Sequence, residues 1–329
     1  MSEIRFLTSS DEHISDQNPA FRKDDYRGAV LSKLKWQNEF ANAFSATAIL
    51  RAGDLFHNKA ANRTSMGTII DLMSIFNASL CQNYSVVGNH DIVYGDISTL
   101  GRQPLGVLFE SKCVRRLTNN VFYDDTLAVR VIGIDYLSNM NAEILQNLVK
   151  KQDDLPTIAV VHALSEYDPS EKIQSFFNEV IMDYRDLVFD GCPDVYVMGH
   201  YHKDQGIQEH FGVKFVNLGS ISRGALTVEN INRKPKVSLI KINSQGISIE
   251  EFVVPHSEAK DVFDFEKKSI SETKSRSMAE FFSKLKSSSS MTGGENIRER
   301  ILEFMSSDFP QDLKDVVKEL FDQASETGV

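Results

Sequence analysis

Gly53-Asp54-Leu55-Phe56-His57 closes an apolar run at residues 47–52, and Gly199-His200-Tyr201-His202 closes another at 195–198. Runs this short and this apolar, stopped by glycine and polar residues, read as strands buried on both faces. The pattern recurs at residues 4–8, 84–87, 129–134, 157–161 and 214–218. Between the early runs, Leu31, Leu34, Phe40, Ala43 and Phe44, and then Ile69, Ile70, Met73, Ile75 and Phe76, return at roughly helical spacing. Strand alternating with helix predicts an α/β fold with helices on both sides of a sheet. Two last runs, 237–242 and 247–253, flank Asn243-Ser244-Gln245-Gly246 and predict a closing hairpin.

The chain has 329 residues, of which 41% are hydrophobic and 25% charged, enough apolar material for a substantial core. No run approaches the ~20 apolar residues of a membrane span. The N-terminal residues enter an apolar run directly, without the basic-then-apolar design of a signal peptide. Cys81, Cys113 and Cys192 are odd in number and lack CxxC spacing, which argues against a disulfide scaffold. Together these features lead us to expect a cytoplasmic protein. With 36 Lys and Arg against 46 Asp and Glu, the net charge is −10. A nonspecific nucleic-acid binder draws most of its affinity from basic surface, so DNA would have to be met through a local patch, a metal or a partner.

Composition shifts after residue 255. Residues 267–286 hold six basic and two acidic side chains, followed by Ser287–Ser290 and Gly293-Gly294, and read as a linker whose lysines could also meet DNA phosphates. Beyond it, Ile297, Ile301, Phe304 and Met305, and after Pro310 Leu313, Val316, Val317, Leu320 and Phe321, predict two short amphipathic helices. So small a pair needs an apolar partner, either its own domain or another protein.

Six of the eight histidines lie in acidic or glycine contexts at strand ends: Asp11-Glu12-His13, Gly53-Asp54-Leu55-Phe56-His57, Gly88-Asn89-His90-Asp91, His162, and Gly199-His200-Tyr201-His202. Taken singly, each has a plain explanation. Asp54 could cap a helix, His162 could be a hydrogen-bonded core histidine, and Gly88-Asn89 could be a tight turn. In an open α/β sheet, however, the loops after the strands converge on one crevice. Imidazole, carboxylate and amide oxygen gathered there suit Mn²⁺, Fe²⁺ or Zn²⁺, and seven candidates exceed what one ion uses. Two ions sharing a carboxylate make a clamp for displacement at phosphorus, with a further histidine to protonate the leaving oxygen. Other residues carry weaker readings. Glu12 could orient an imidazole or simply be solvated; Asp91 could orient His90; Tyr201 could stack on a base or fill its loop. Trp36 reads as core.

Over residues 4–220 the sequence resembles the calcineurin-like metallophosphoesterase superfamily, whose signature is D-x-H, G-D, G-N-H-D/E, H and G-H-x-H. The resemblance implies a sandwich of two mixed sheets flanked by helices. By motif position it implies that Asp11, His13, Asp54 and His202 hold one metal, that Asp54 bridges, and that Asn89, His162 and His200 complete the second. His90 would be the acid or transition-state stabiliser. The Gly53-Asp54-Leu55-Phe56-His57 motif lacks the arginine of the GDxVDRG protein phosphatases and is similar to the nuclease subunit of SbcCD-type complexes, where His57 would assist catalysis. That branch implies a Mn²⁺-dependent DNA nuclease, 3′→5′ exonuclease and single-strand or hairpin endonuclease, acting as a homodimer with an SbcC-type ABC ATPase in a bacterial cell or phage-infected host.

On this reading residues 1–255 form the phosphoesterase domain, 256–294 a reduced cap and linker, and 295–329 a helical tail that binds the ATPase. Residues 256–294 leave no room for the branch's full DNA-capping domain. The acidic charge and the missing cap favour an alternative, a phosphodiesterase or phosphatase acting on small nucleotides or phosphoproteins through the same centre. A third possibility, a non-catalytic scaffold, is disfavoured by the presence of every ligand together with His90.

Overall fold

Alternate residues of the central strands face two different cores. In β1 (Glu3–Ser9) Ile4 and Phe6 point one way and Leu7 the other; in β2 (Ala48–Arg51) Ala48 and Leu50 oppose Ile49. Burial on both faces requires a layer on each side of the sheet, which is why these strands lack polar alternation. On one side the layer is helical: α1 (Tyr26–Ala43) and α2 (Met66–Asn77) cover the first sheet, with Asp25 and Ser65 capping their N-termini. Trp36 and Ala41 of α1 lie in the cluster that holds Leu7 and Ile49. On the other side the layer is a second sheet.

The remaining elements are β3 (Gln82–Ser85), α3 (Pro104–Glu110), β4 (Val114–Arg116), β5 (Asn119–Asp124), β6 (Leu127–Ile134), α4 (Ala142–Val149), β7 (Thr157–His162), β8 (Ser165–Glu166), β9 (Met182–Asp183), β10 (Val195–Gly199), β11 (Asp204–His210), β12 (Val213–Leu218), α5 (Val228–Asn232), β13 (Lys236–Asn243), β14 (Gly246–Val253) and α6 (Ala259–Val262). The single sheet suggested by periodicity is in fact two six-stranded sheets, ordered β14-β13-β1-β2-β3-β4 and β11-β12-β10-β7-β6-β5, as the family sandwich requires. β1 to β4 run parallel, and so do β6, β7, β10 and β12; each sheet closes with antiparallel strands, including the β13–β14 hairpin. Between the sheets pack Ile4, Phe6, Leu50, Val131, Ile158, Val160, Val197 and Val216. The outer face of the second sheet is covered by Leu145 and Val149 of α4 with Tyr184 and Leu187.

The computed structural model describes residues 2–167, 169 and 179–273. Met1–Phe263 form one compact unit, and residues from Asp264 onward belong to a second, in which 265–273 are helical. The rest of the expected linker and the expected helices of 295–329 lie outside the described residues. Among the described residues no helix is long and apolar enough to cross a membrane.

One polar cluster lies inside the first sheet's helical layer. Glu12, which sequence suggested would be solvated or turned to an imidazole, is fully buried against the equally buried Arg51, Nη1 to Oε1 2.5 Å. Arg51 also donates to Gln37 of α1 (2.7 Å) and Asn83 of β3 (2.9 Å), and Ser9 donates to Glu12 (2.8 Å). These bonds join β1, β2, β3 and α1 just below the strand ends. Removing one partner of a buried pair leaves an uncompensated charge, so Arg51→Met is expected to cost about 3–5 kcal/mol of stability, most of it recovered when Glu12→Leu is added. Urea denaturation of wild type, single and double variants checks this; a loss in the double variant equal to the sum of the two single losses would show that the pair is not coupled.

Candidate metal centre

The parallel strands of both sheets end at one rim, and each candidate residue sits on the turn that follows a strand. Asp11 and His13 follow β1, Asp54 and His57 follow β2, and Asn89 and His90 follow β3; His162 ends β7, and His200 and His202 follow β10. The turns after β1 and β2 run side by side through Asp11 N to Gly53 O (3.1 Å), His13 N to Asp54 O (2.9 Å) and His57 N to Ile14 O (3.0 Å). Asp11, His13, Asp54 and His200 all adopt positive φ, at 54°, 47°, 54° and 85°. Left-handed backbone in non-glycine residues costs energy and collects at functional sites. Glycine clears the space beneath. A Cβ on Gly88 would stand 2.0 Å from Asp54 Oδ1, and one on Gly53, at φ +92°, would stand 2.4 Å from His162 Nδ1.

Two overlapping clusters result. Asp11, His13, Asp54 and His202 offer ligand atoms all within 4.8 Å of one another, and so do Asp54, His162 and His200. Asp54 belongs to both. Its Oδ2 lies 3.4 Å from His13 Nε2 and 3.5 Å from His162 Nε2. The Nε2 atoms of His13 and His202 approach to 2.9 Å, and His162 Nε2 stands 3.1 Å from Asn89 Oδ1. Asn89 thus joins the second cluster. A third grouping places His57 and His90 within 4.8 Å of His13, with the His57 and His90 rings stacked 15° from parallel. His57 faces solvent and His90 is half-buried.

The donor set fits divalent cations. Asp54 is buried, and its Oδ2 accepts no hydrogen bond among the described residues. Oδ1 takes the His90 amide at 2.8 Å. His162 gives its Nδ1–H to Ala52 O at 2.6 Å, which turns Nε2 toward Asp54. Burial opposes charge on Asp54, but the neighbouring His162 outweighs it and holds the carboxyl well below its usual range. Burial likewise keeps His13 neutral, its titration pushed well below the usual value. His162 goes the other way: burial lowers it, yet Asp54 raises it to about 9, so a proton there serves as counter-charge until a cation replaces it. Asp11 is raised to about 7, chiefly by burial. With His13 neutral, the two buried carboxylates have the His162 proton as counter-charge, and divalent cations held by this donor set would supply more.

Several contributors carried no motif. Glu179 places Oε2 3.1 Å from His200 Nε2 and accepts the Tyr136 hydroxyl at 3.1 Å through Oε1. Tyr26 donates to His13 O (2.7 Å) and Ser220 to Asp11 O (2.8 Å), bracing the first turn from behind. Asp91, read from sequence as a possible partner for the His90 ring, instead accepts the amides of Phe56 (3.0 Å) and Gly88 (2.9 Å) and so locks the second and third turns together. Only the glycine and asparagine around Asp91 hinted at that turn.

Because one oxygen of Asp54 serves both clusters, Asp54→Asn is expected to lower bound metal from about two ions per chain to less than one while leaving far-UV circular dichroism unchanged. Gly88→Ala, which pushes on the same carboxylate, should weaken metal affinity by about 10–100-fold. Metal analysis after dialysis measures both, and full metal retention in Asp54→Asn would contradict the bridging position.

The calcineurin-like phosphoesterase family model matches residues 4–204 of this chain. No curated protein matches it. Among solved structures it is similar to a Staphylococcus aureus protein assigned as a 5′-nucleotidase, with 16% identity and a TM-score of 0.54, covering 83% of this chain and 58% of that one. This chain therefore spans less than two thirds of that relative. Also similar are an archaeal phosphodiesterase (14% identity, TM-score 0.38, 76% of this chain and 100% of that one) and a dimetal phosphatase of Danio rerio (12% identity, TM-score 0.49, 77% and 99%). The likeness to the Staphylococcus aureus protein shows the fold alone, while the family match spans most of the chain and every strand end that carries a candidate ligand. The chain belongs to the calcineurin-like phosphoesterase family, which uses a dinuclear divalent metal site, and its strand-end residues form a candidate metal-ligand cluster.

Proposed function

We propose that this phosphoesterase is a Mn²⁺-dependent DNA nuclease, the nuclease subunit of an SbcCD-type repair and recombination complex. The observation that carries the reading is the pair of histidines beside the first cluster. His57 and His90 stack on one another, and His57 Nδ1 reaches within 3.4 Å of His13 Nδ1. Protein phosphatases of the superfamily carry an arginine motif at this turn, and the nuclease branch carries the histidine found here. In this reading Asp11, His13, Asp54 and His202 hold one ion and Asp54, Asn89, His162 and His200 the other. The ions supply neutralisation of the phosphoryl oxygens and a water of lowered pKa.

The protein's own contribution is the proton. His90 Nδ1 donates to His57 O at 2.6 Å, which fixes the ring and leaves Nε2 as the atom that would give a proton to the leaving oxygen. The His90 amide holds Asp54 from the same turn. The net charge of −10 fits work alongside a second copy and an SbcC-type ATPase bound through residues 295–329. The net charge of −10 also favours a second reading, a phosphodiesterase or phosphatase for small nucleotides or phosphoproteins.

End-labelled duplex and hairpin DNA incubated with the full chain and Mn²⁺ separates the two. Cleavage is expected, falling by at least ~10²-fold in His90→Ala with metal content retained. DNA left intact even with an SbcC-type ATPase present, while a chromogenic diester is hydrolysed, would transfer the assignment to the small-substrate enzyme.

A further inference from the structure

A pocket of about 290 Å³ opens between the start of α1 and the loop that follows β12, with Arg22, Asp24, Ser32, Lys33, Arg223 and His256 among its lining residues. Its character is set by three buried cations: Arg22, Lys33 and Arg223 are 8%, 6% and 3% exposed. Among the described residues Asp24 is the one acidic residue that lines it, and it is already gripped by Arg22 through two bonds of 2.7 Å. Arg22 and Arg223 lie over the same Phe263 ring, at 5.4 and 5.8 Å from its centre. Glu258 attracts Arg223 electrostatically but forms no ion pair with it within 4.0 Å.

A purely structural role accounts for part of this arrangement. Lys33 donates to Ile221 O at 2.7 Å and Arg22 to Arg223 O at 2.9 Å, so both hold down the loop's carbonyls. Arg223 is different. Its Nε and Nη1 donate to Asn230 O (3.0 Å) and Ser257 O (3.2 Å), but Nη2 is buried with no hydrogen-bond partner among the described residues. Its backbone sits at φ 53°, a conformation that an arginine adopts at a cost. Burial, followed by the charges of Arg22 and Arg223, brings the Lys33 ammonium down to about 7. Three buried cations facing one engaged carboxylate are an uncompensated arrangement, and an oxyanion with several acceptor oxygens is its natural complement.

We infer that this pocket binds a phosphate group, held by Arg223 with Arg22 and Lys33, at a site separate from the metal centre. The inference is independent of which phosphoester the centre cleaves. The occupant's tetrahedral anion could belong to free phosphate or to a nucleic-acid strand.

The full chain stripped of metal by chelation, so that the catalytic centre takes no phosphate, is titrated with inorganic phosphate at constant ionic strength. Thermal denaturation and ³¹P line broadening are followed. A saturable rise in Tm is expected, with affinity at least about tenfold weaker in Arg223→Gln and in Ser32→Glu. Ser32 is exposed at the pocket on α1, so Ser32→Glu adds an opposing charge without removing a buried group and keeps the test sound if Arg223→Gln does not fold. A Tm rise no larger than that given by chloride, or one unchanged by Ser32→Glu, overturns the inference. Displacement of bound phosphate by an oligonucleotide would identify a strand phosphate as the occupant; phosphate binding without displacement would identify the free anion, and either supports the site.

Discussion

Asp54 Oδ2 is a buried carboxylate oxygen that no hydrogen-bond donor among the described residues satisfies, placed where turns from two separate sheets meet. Much of the surrounding architecture can be understood as what keeps that oxygen in place. His13 approaches it from the first sheet and His162 from the second, so the centre exists only if the sandwich is closed. A divalent cation would satisfy the carboxylate and the imidazole lone pairs aimed at one point better than the His162 proton alone does. The arrangement is therefore costly in the metal-free chain, and its supports are correspondingly rigid. The ladder between the first two turns, the glycine clearance at Gly53 and Gly88 and the Asp91 clasp all resist the relaxation that would spread the ligands apart.

Beneath the first sheet's strand ends, the Glu12–Arg51 cluster acts on the same problem. Buried ion pairs contribute little net stability compared with a well-packed apolar core. What this one does contribute is geometry. Arg51 reaches β3 and α1 while Glu12 sits between Asp11 and His13 in sequence, so the register of three strands is tied to the turn that carries the first ligands. A shift of one strand against its neighbour would misalign Asp11, Asp54 and Asn89 together.

The fold was legible where burial is two-sided. Apolar runs at β1, β2, β6, β7, β10 and β12 stand out because residues on both faces of them meet a core. Edge strands did not: β5 reads Asn-Asn-Val-Phe-Tyr-Asp and β11 reads Asp-Gln-Gly-Ile-Gln-Glu-His, polar because one side of each lacks a neighbouring strand. That there are two sheets also escaped periodicity, since a strand between two helical layers and a strand between a helical layer and a sheet present the same pattern. The candidate ligands were legible because strand-end turns are local and leave motifs. Glu179, Tyr136, Tyr26 and Ser220 reach the centre from distant parts of the chain, and no local spacing announces them. Glu12 was misread for the same reason: its partner lies 39 residues away.

The account stands on one carboxylate joining two metal sites. Electron paramagnetic resonance of the full chain loaded with about two equivalents of Mn²⁺ tests this directly, because ions bridged at roughly 3.5–4 Å are exchange-coupled. The predicted result is a coupled-pair spectrum that replaces the isolated-ion signal as the second equivalent is added. Two equivalents bound with only the signal of isolated Mn²⁺, or saturation at one, would contradict a dinuclear centre bridged by Asp54.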